Sequence, residues 1–206
     1  MRNNWMRACA AVAIFLTAAF TAPVANADTP DPAVQQVQTF YDALLDSMKH
    51  AKELGIKGRF DKLKPVIEAT FDLPDMVHLA VGPSWATMSA ADQQALLDAF
   101  ERMTVANYAS NFDGYSDEKF VVDPATQTRG QDRIVQSKLV TGGKTIPFGY
   151  RMRQVGGTWK ILDIYLNGYV SQLATQRSDF GATVTAGGAK GLIKKIDTLT
   201  DKLMAQ

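Results

Sequence analysis

Residues 133–166 have the sequence RIVQSKLVTGGKTIPFGYRMRQVGGTWKILDIYL. Apolar and polar residues alternate along much of it with a period of two, which is typical of strands that have one covered face. Glycine pairs at 142–143 and 156–157 interrupt the alternation, as tight antiparallel hairpins prefer. The pattern predicts strands at about 133–141, 146–155 and 159–166, and a further strand at about 118–122 precedes them.

Apolar residues at helical spacing lie on both sides of this region. Before it, the spacing predicts helices over about 31–54, 60–71, 75–81 and 89–112, and after it over about 169–180 and 189–204. Helices, an antiparallel meander and further helices indicate a single α+β domain. In that domain a four-stranded antiparallel sheet packs against a helical layer.

The first 27 residues have the features of a cleaved export signal. Arg2 and Arg7 form a charged start, residues 8–20 are apolar, and Ala25-Asn26-Ala27 supplies the small residues of a cleavage site. We therefore expect a signal peptide at 1–27, a domain at 28–206 and a periplasmic location. The only cysteine, Cys9, lies in the signal segment, so the domain has none.

The charge of the domain argues against several classes of function. The signal segment holds two of the 22 basic residues, which leaves 20 basic against 21 acidic residues. A nucleic-acid-binding protein needs a concentrated basic face, which this balance does not favour. Two histidines far apart, His50 and His78, and no cysteine give no metal-ligand spacing, and nothing indicates a cofactor.

One acidic residue leaves an enzymatic alternative open. Asp163 shares a predicted strand face with Trp159, Ile161 and Tyr165, so it is a candidate half-buried carboxylate with a raised pKa. Small α+β cone folds of the steroid-isomerase kind use such an acid as a proton shuttle. A structural carboxylate that pairs with arginine or backbone donors has the same pattern, and this structural interpretation is favoured.

Several blocks of the chain resemble the MlaC family, also called the toluene-tolerance family. Residues 69–76 (ATFDLPDM) and 80–85 (AVGPSW) resemble its F-D-x-x-x-M and L-G-x-x-W block, and residues 157–163 (GTWKILD) also look like that family. Residues 166–180 (LNGYVSQLATQRSDF) resemble the hopanoid-associated HpnM branch more than the phospholipid carriers.

This resemblance implies a lipid carrier rather than an enzyme. Such a protein holds its cargo in an apolar cavity between the sheet and the helices and moves it between the inner and outer membranes. The implied cargo is a hopanoid, with phospholipid as the alternative. The implied partners are an inner-membrane transporter, RND-type or ABC-associated, and an outer-membrane acceptor, with only transient contact to these membrane complexes.

Apolar residues on predicted inward faces are the candidates for the cavity lining. Their spacing alone fits a filled core equally well, so an envelope adaptor without a cavity stays open as an alternative. The candidate residues are Phe71, Met76, Leu79, Trp85, Met88, Leu96, Phe100, Met103, Tyr108, Val135, Leu139, Phe148, Tyr150, Met152, Trp159, Ile161, Tyr165, Tyr169 and Leu173.

Overall fold

A computed structural model describes residues 30–206, and the expected signal peptide lies outside these residues. The helices are α1 (Pro32–Lys49), α2 (Ala51–Thr70), α3 (Leu73–Val81), α4 (Ala90–Asn111) and α5 (Gln172–Met204), with a 3-10 helix at Gly82–Thr87. The strands are β1 (Lys119–Arg129), β2 (Asp132–Thr141), β3 (Lys144–Val155), β4 (Thr158–Leu166) and β5 (Val170–Ser171). In the described part of the chain, no helix combines the length and the hydropathy that crossing a bilayer requires.

The strands form one antiparallel sheet in the order β1-β2-β3-β4-β5. The predicted α+β class and the meander are confirmed, but the sheet has five strands instead of four. The additional strand β5 pairs with Tyr165 and Leu166 after a turn in which Asn167 and Gly168 have φ values of 52° and 80°. Two residues are too short to show a period, so the sequence pattern could not indicate β5.

Strand β1 is longer than the pattern indicated. The sequence predicts an end near Val122, but pairing with β2 resumes at Thr126 after a register shift and continues to Arg129. Proline has no N–H to donate, and β1 is an edge strand with one open side. The irregularity therefore accommodates Pro124 without ending the strand.

Two long helices each contain one glycine in the left-handed region. Gly55 in α2 has φ 61° and Gly188 in α5 has φ 63°, a backbone conformation that other residues rarely adopt. The first predicted helix ends five residues early, at Lys49, and the Gly55 bend lies inside α2. The helix predicted over 169–180 begins only at Gln172 and continues past Phe180 to the Gly188 bend.

A buried hydroxyl network joins the helical layer to the sheet. The Tyr41 hydroxyl of α1 donates to Tyr150 Oη of β3 at 2.9 Å and lies 2.7 Å from Ser137 Oγ of β2. Burial raises the pKa of Tyr41 to about 12, although both hydrogen bonds act in the opposite direction. Tyr41 therefore stays neutral and places α1 over the middle of the sheet.

An ionic cluster at the start of β2 connects this strand to β3 and to α3. The buried Asp132 carboxylate of β2 accepts hydrogen bonds from Arg153 Nε at 2.7 Å, Arg153 Nη2 at 3.0 Å and Arg151 Nε at 2.5 Å. Burial alone would raise the pKa of Asp132, but the two guanidinium groups outweigh it and hold the pKa below its ordinary value. Arg153 also approaches Asp75 of α3 at 3.5 Å, which connects the sheet to that helix.

We predict that Asp132→Asn lowers the free energy of unfolding at neutral pH by about 2 kcal/mol, because it weakens charge-assisted hydrogen bonds. A carboxylate with a lowered folded-state pKa stabilises the fold above its unfolded pKa of about 4, and this stability is lost as the pH falls through the folded pKa. The difference between wild type and variant should therefore shrink below about pH 4. Urea unfolding at several pH values measures it, and a difference that does not change with pH would contradict this account.

Candidate functional site

A cavity of about 220 Å³ lies where four elements meet: the α2–α3 junction, α4, the end of β4 and the start of α5. The junction is fixed to the sheet, since Asp72 N–H donates to Ile161 O at 2.9 Å beside a bridge between Phe71 and Ile161. The lining residues are Phe71, Met76, Phe100, Thr104, Asn107, Tyr108, Asn111, Phe112, Ile164, Leu166, Gln172 and Gln176.

Helix α4 supplies five of the twelve lining residues and shows how deep the cavity runs. Its contribution begins at Phe100, which is fully buried, and reaches Asn111, which is exposed. Eleven residues of α-helix span about 16 Å. Phe100 and Phe71 therefore mark the floor of the cavity, and Asn111 marks its mouth.

Arg59 of α2 holds the last turns of α4 in place near that mouth. Its side chain is 7 % exposed, and its Nε donates to Ala109 O at 2.7 Å while Nη1 donates to Ala51 O at 3.0 Å. A cation near the carbonyl end of a helix is favourable, because the unpaired carbonyls there carry partial negative charge. Arg59 thus contributes to the position of Tyr108 and Asn111.

The lining combines an apolar surface with a polar one. The apolar surface is formed by seven residues, Phe71, Met76, Phe100, Tyr108, Phe112, Ile164 and Leu166. The polar surface consists of five uncharged side chains, and we call it the amide wall: Thr104, Asn107, Asn111, Gln172 and Gln176. A cavity with a large apolar area and a few polar groups suits a ligand that has both an apolar body and a polar group.

Tyr108 is the one titratable side chain of the lining, and it remains neutral. Burial, with a smaller contribution from Tyr41, raises the pKa of Tyr108 well above its ordinary value. Its ring also packs edge-on against Phe40, with centroids 5.1 Å apart. Tyr108 therefore acts as an aromatic surface that places no charge in the cavity.

Asp163 lies outside this lining and has structural partners. It is 3 % exposed, and its carboxylate accepts hydrogen bonds from Ile164 N at 2.7 Å, Ser171 Oγ at 2.6 Å and Leu173 N at 2.9 Å. These bonds join β4, β5 and the first turn of α5. The arrangement matches the structural interpretation of Asp163 and gives no support to a proton shuttle.

The structure places the nineteen candidate residues in different surroundings. Four of them line the cavity: Phe71, Met76, Phe100 and Tyr108. Eight are buried elsewhere: Leu96, Met103, Val135, Leu139, Tyr150, Met152, Ile161 and Leu173. Five are partly buried against the core: Leu79, Trp85, Met88, Phe148 and Trp159. Contact of any of these residues with a ligand stays a prediction.

The remaining two candidates do not face the cavity. Since Ile164 and Leu166 line the cavity, the alternation of β4 directs Tyr165 to the opposite face, where its ring lies close to Gly149. Tyr169 is 78 % exposed because it belongs to the turn before β5. The prediction of an inward position for Tyr169 is wrong, since the chain is not yet helical there.

The sequence interpretation missed eight lining residues: Thr104, Asn107, Asn111, Phe112, Ile164, Leu166, Gln172 and Gln176. Five of these are polar, and polar residues in helices are usually assigned to the solvent-facing side. A signal was present in α4, where Phe100, Thr104, Asn107 and Asn111 recur at intervals of three and four residues.

Comparison with known proteins gives consistent matches. The family model described as MlaC protein matches residues 38–198. Toluene tolerance protein ttg2D of Pseudomonas putida is 25 % identical over 158 residues, which cover 75 % of this chain and 73 % of that protein. The solved phospholipid-binding protein from Ralstonia solanacearum, in complex with a phospholipid, has a TM-score of 0.73 and 21 % identity. The match covers 83 % of this chain and 98 % of the solved one.

We predict that Asp163→Ala lowers the free energy of unfolding by about 3 kcal/mol, because it removes a buried acceptor and leaves the Leu173 N–H unsatisfied. Asp201→Ala is the matched control: Asp201 is exposed on α5, and we expect a change within about 0.5 kcal/mol. Urea unfolding of both variants measures the difference. Equal stability of the two variants would show that the Asp163 contacts do not hold α5 to the sheet.

Proposed function

We propose that this chain, which belongs to the MlaC family, is a periplasmic carrier that holds a lipid in the cavity between α4, β4 and α5. The observation that carries the proposal is the lining itself, which combines seven apolar side chains with five uncharged polar ones. Exposure of a lipid to water costs about 0.8 kcal/mol for each CH₂ group. A closed apolar cavity removes most of this cost without covalent chemistry.

The size of the cavity implies that it widens when cargo enters. Its 220 Å³ is below the roughly 300–1,000 Å³ typical of ligand pockets. The element best suited to move is the first half of α5, because it has two buried residues, Leu173 and Phe180, before the Gly188 bend. Outward displacement of this half beyond its first turn would enlarge the cavity along Gln176.

A hopanoid is the first candidate cargo. The segment that resembles the hopanoid-associated branch, residues 166–180, supplies Leu166, Gln172 and Gln176 to the lining. The residues on which the branch resemblance rests therefore include residues of the cavity wall. A phospholipid is the second candidate, favoured by the likeness to a fold whose Ralstonia solanacearum member was solved with a phospholipid bound.

The proposal also includes a periplasmic location and two membrane-bound partners. A carrier of this family would receive its lipid at one membrane and deliver it at the other. We therefore propose an inner-membrane transporter, RND-type or ABC-associated, and an outer-membrane acceptor as its partners. An adaptor that only scaffolds envelope machinery would have a filled core, and the cavity favours the carrier over that alternative.

The cargo can be identified directly. We predict that the domain purified from the periplasm of a hopanoid-producing host carries one lipid, detected by native mass spectrometry and organic extraction. A hopanoid would support the first candidate, and a phospholipid would keep the carrier but change its cargo. Protein that emerges empty and also takes up neither lipid in vitro would contradict the carrier and favour the adaptor.

The location of the cargo can be tested by filling the cavity. Leu166→Trp places a larger side chain in the lining, and overpacking of a tight site is unfavourable. We predict that lipid occupancy falls at least about threefold. Leu199→Trp is the matched control, because Leu199 lies outside this cavity and is 40 % exposed. Equal occupancy in the two variants would place the lipid elsewhere.

A further inference from the structure

The two halves of α5 fold back on each other. Asp179 and Lys195 are 16 positions apart in the sequence and form an ion pair at 2.5 Å. In a straight helix the same two residues would be about 24 Å apart. The left-handed Gly188 lies between them and supplies the bend. The first half of α5, residues 172–187, is therefore an arm that packs against the second half, residues 189–204.

Lys195 of the second half holds the first half through two side chains. Its Nζ donates to Asp179 Oδ1 at 2.5 Å and to Thr183 Oγ1 at 3.1 Å. The Thr183 hydroxyl donates in turn to Asp179 O at 2.9 Å. The backbones also approach here, since a Cβ added at Gly191 would lie 3.9 Å from Thr183 O. We call Lys195, Asp179 and Thr183 the clasp.

The clasp lies beside the part of the first half that closes the cavity. Gln176 of the amide wall lines the cavity and is three residues before Asp179. Phe180 follows Asp179 directly, and its ring packs edge-on against Phe100 at the cavity floor, with centroids 6.2 Å apart. The clasp therefore acts on the position of Gln176 and Phe180 without lining the cavity itself.

The clasp affects local opening more than the stability of the whole fold. The side chains of Lys195 and Asp179 are 34 % and 52 % exposed, and exposed ion pairs contribute little to global stability. Opening of the first half, however, breaks only the few contacts of that segment, so each of them influences how often it opens. The Arg102–Asp197 ion pair differs, because it joins α4 to the second half and does not cross the bend.

We propose that Lys195 is a positioning residue that holds the first half of α5 closed over the cavity, and that the clasp breaks before the lipid leaves. The inference rests on the proposed carrier function and adds the contact that controls the release rate. Since the clasp is ionic and exposed, salt screens it, and release should become faster as the ionic strength rises.

Hydrogen exchange of the delipidated protein tests the clasp without any lipid. Lys195→Met should raise the exchange rates of backbone amides in residues 174–187 about two- to fivefold. Lys195→Arg should keep rates close to wild type, because it preserves the charge and the donors. Arg102→Met is the matched control: it removes an exposed ion pair with neither partner in the first half, and these rates should not change.

Lipid release tests the consequence for the carrier. The protein is loaded with phosphatidylethanolamine that has a fluorophore on one acyl chain and is mixed with excess phosphatidylcholine vesicles. We expect release about two- to fivefold faster for Lys195→Met and for Asp179→Asn, and the double variant should be no faster than either. Between about 20 mM and about 0.5 M NaCl, the wild-type rate should approach that of Lys195→Met.

Unchanged amide exchange in Lys195→Met would overturn the clasp and leave the carrier function intact. Faster exchange without faster release would also overturn the proposal, as would an equal acceleration by Arg102→Met or effects that multiply in the double variant. Wild-type protein that takes up no labelled lipid would overturn the carrier function, and with it the role of the clasp in release.

Discussion

The attachment of α5 to β4 is the constraint on which the rest of the site depends. Three hydrogen bonds converge on the buried Asp163 carboxylate, from Ile164 N, Ser171 Oγ and Leu173 N. They fix the first turn of α5 beside the strand that carries Ile164 and Leu166. Since Gln172 lies between Ser171 and Leu173, its position in the lining is held by the hydrogen bonds to this single carboxylate.

The first half of α5 is attached at its start but has few buried contacts after it. Beyond Leu173, its first half has one further buried contact, at Phe180, whose ring meets Phe100 edge-on at 6.2 Å. The left-handed Gly188 then separates this half from the well-buried second half, where Leu192 and Ile196 are inaccessible to solvent. A lightly anchored segment between a fixed start and a glycine bend is suited to opening for a lipid and closing again.

Much of the architecture follows from local sequence, whereas the site depends on long-range packing. The alternation and the glycine pairs of residues 133–166 indicate three of the strands and their turns. The cavity requires the distant segments around Phe71, Phe100 and Gln176 to meet, which no local period encodes. Thr104 and Gln176 were missed because polar residues in helices resemble solvent-facing ones. Tyr169 was misplaced because the helix begins three residues later than its apolar spacing suggests.

A crystal structure of the delipidated protein reloaded with a single lipid would show whether the cavity between α4 and α5 holds the cargo. The account predicts that the apolar body of the lipid lies between α4 and the first half of α5, in contact with Phe100 and Leu166, and that α5 moves outward before Gly188. A lipid bound on another surface of the protein, with this cavity still closed, would contradict the account.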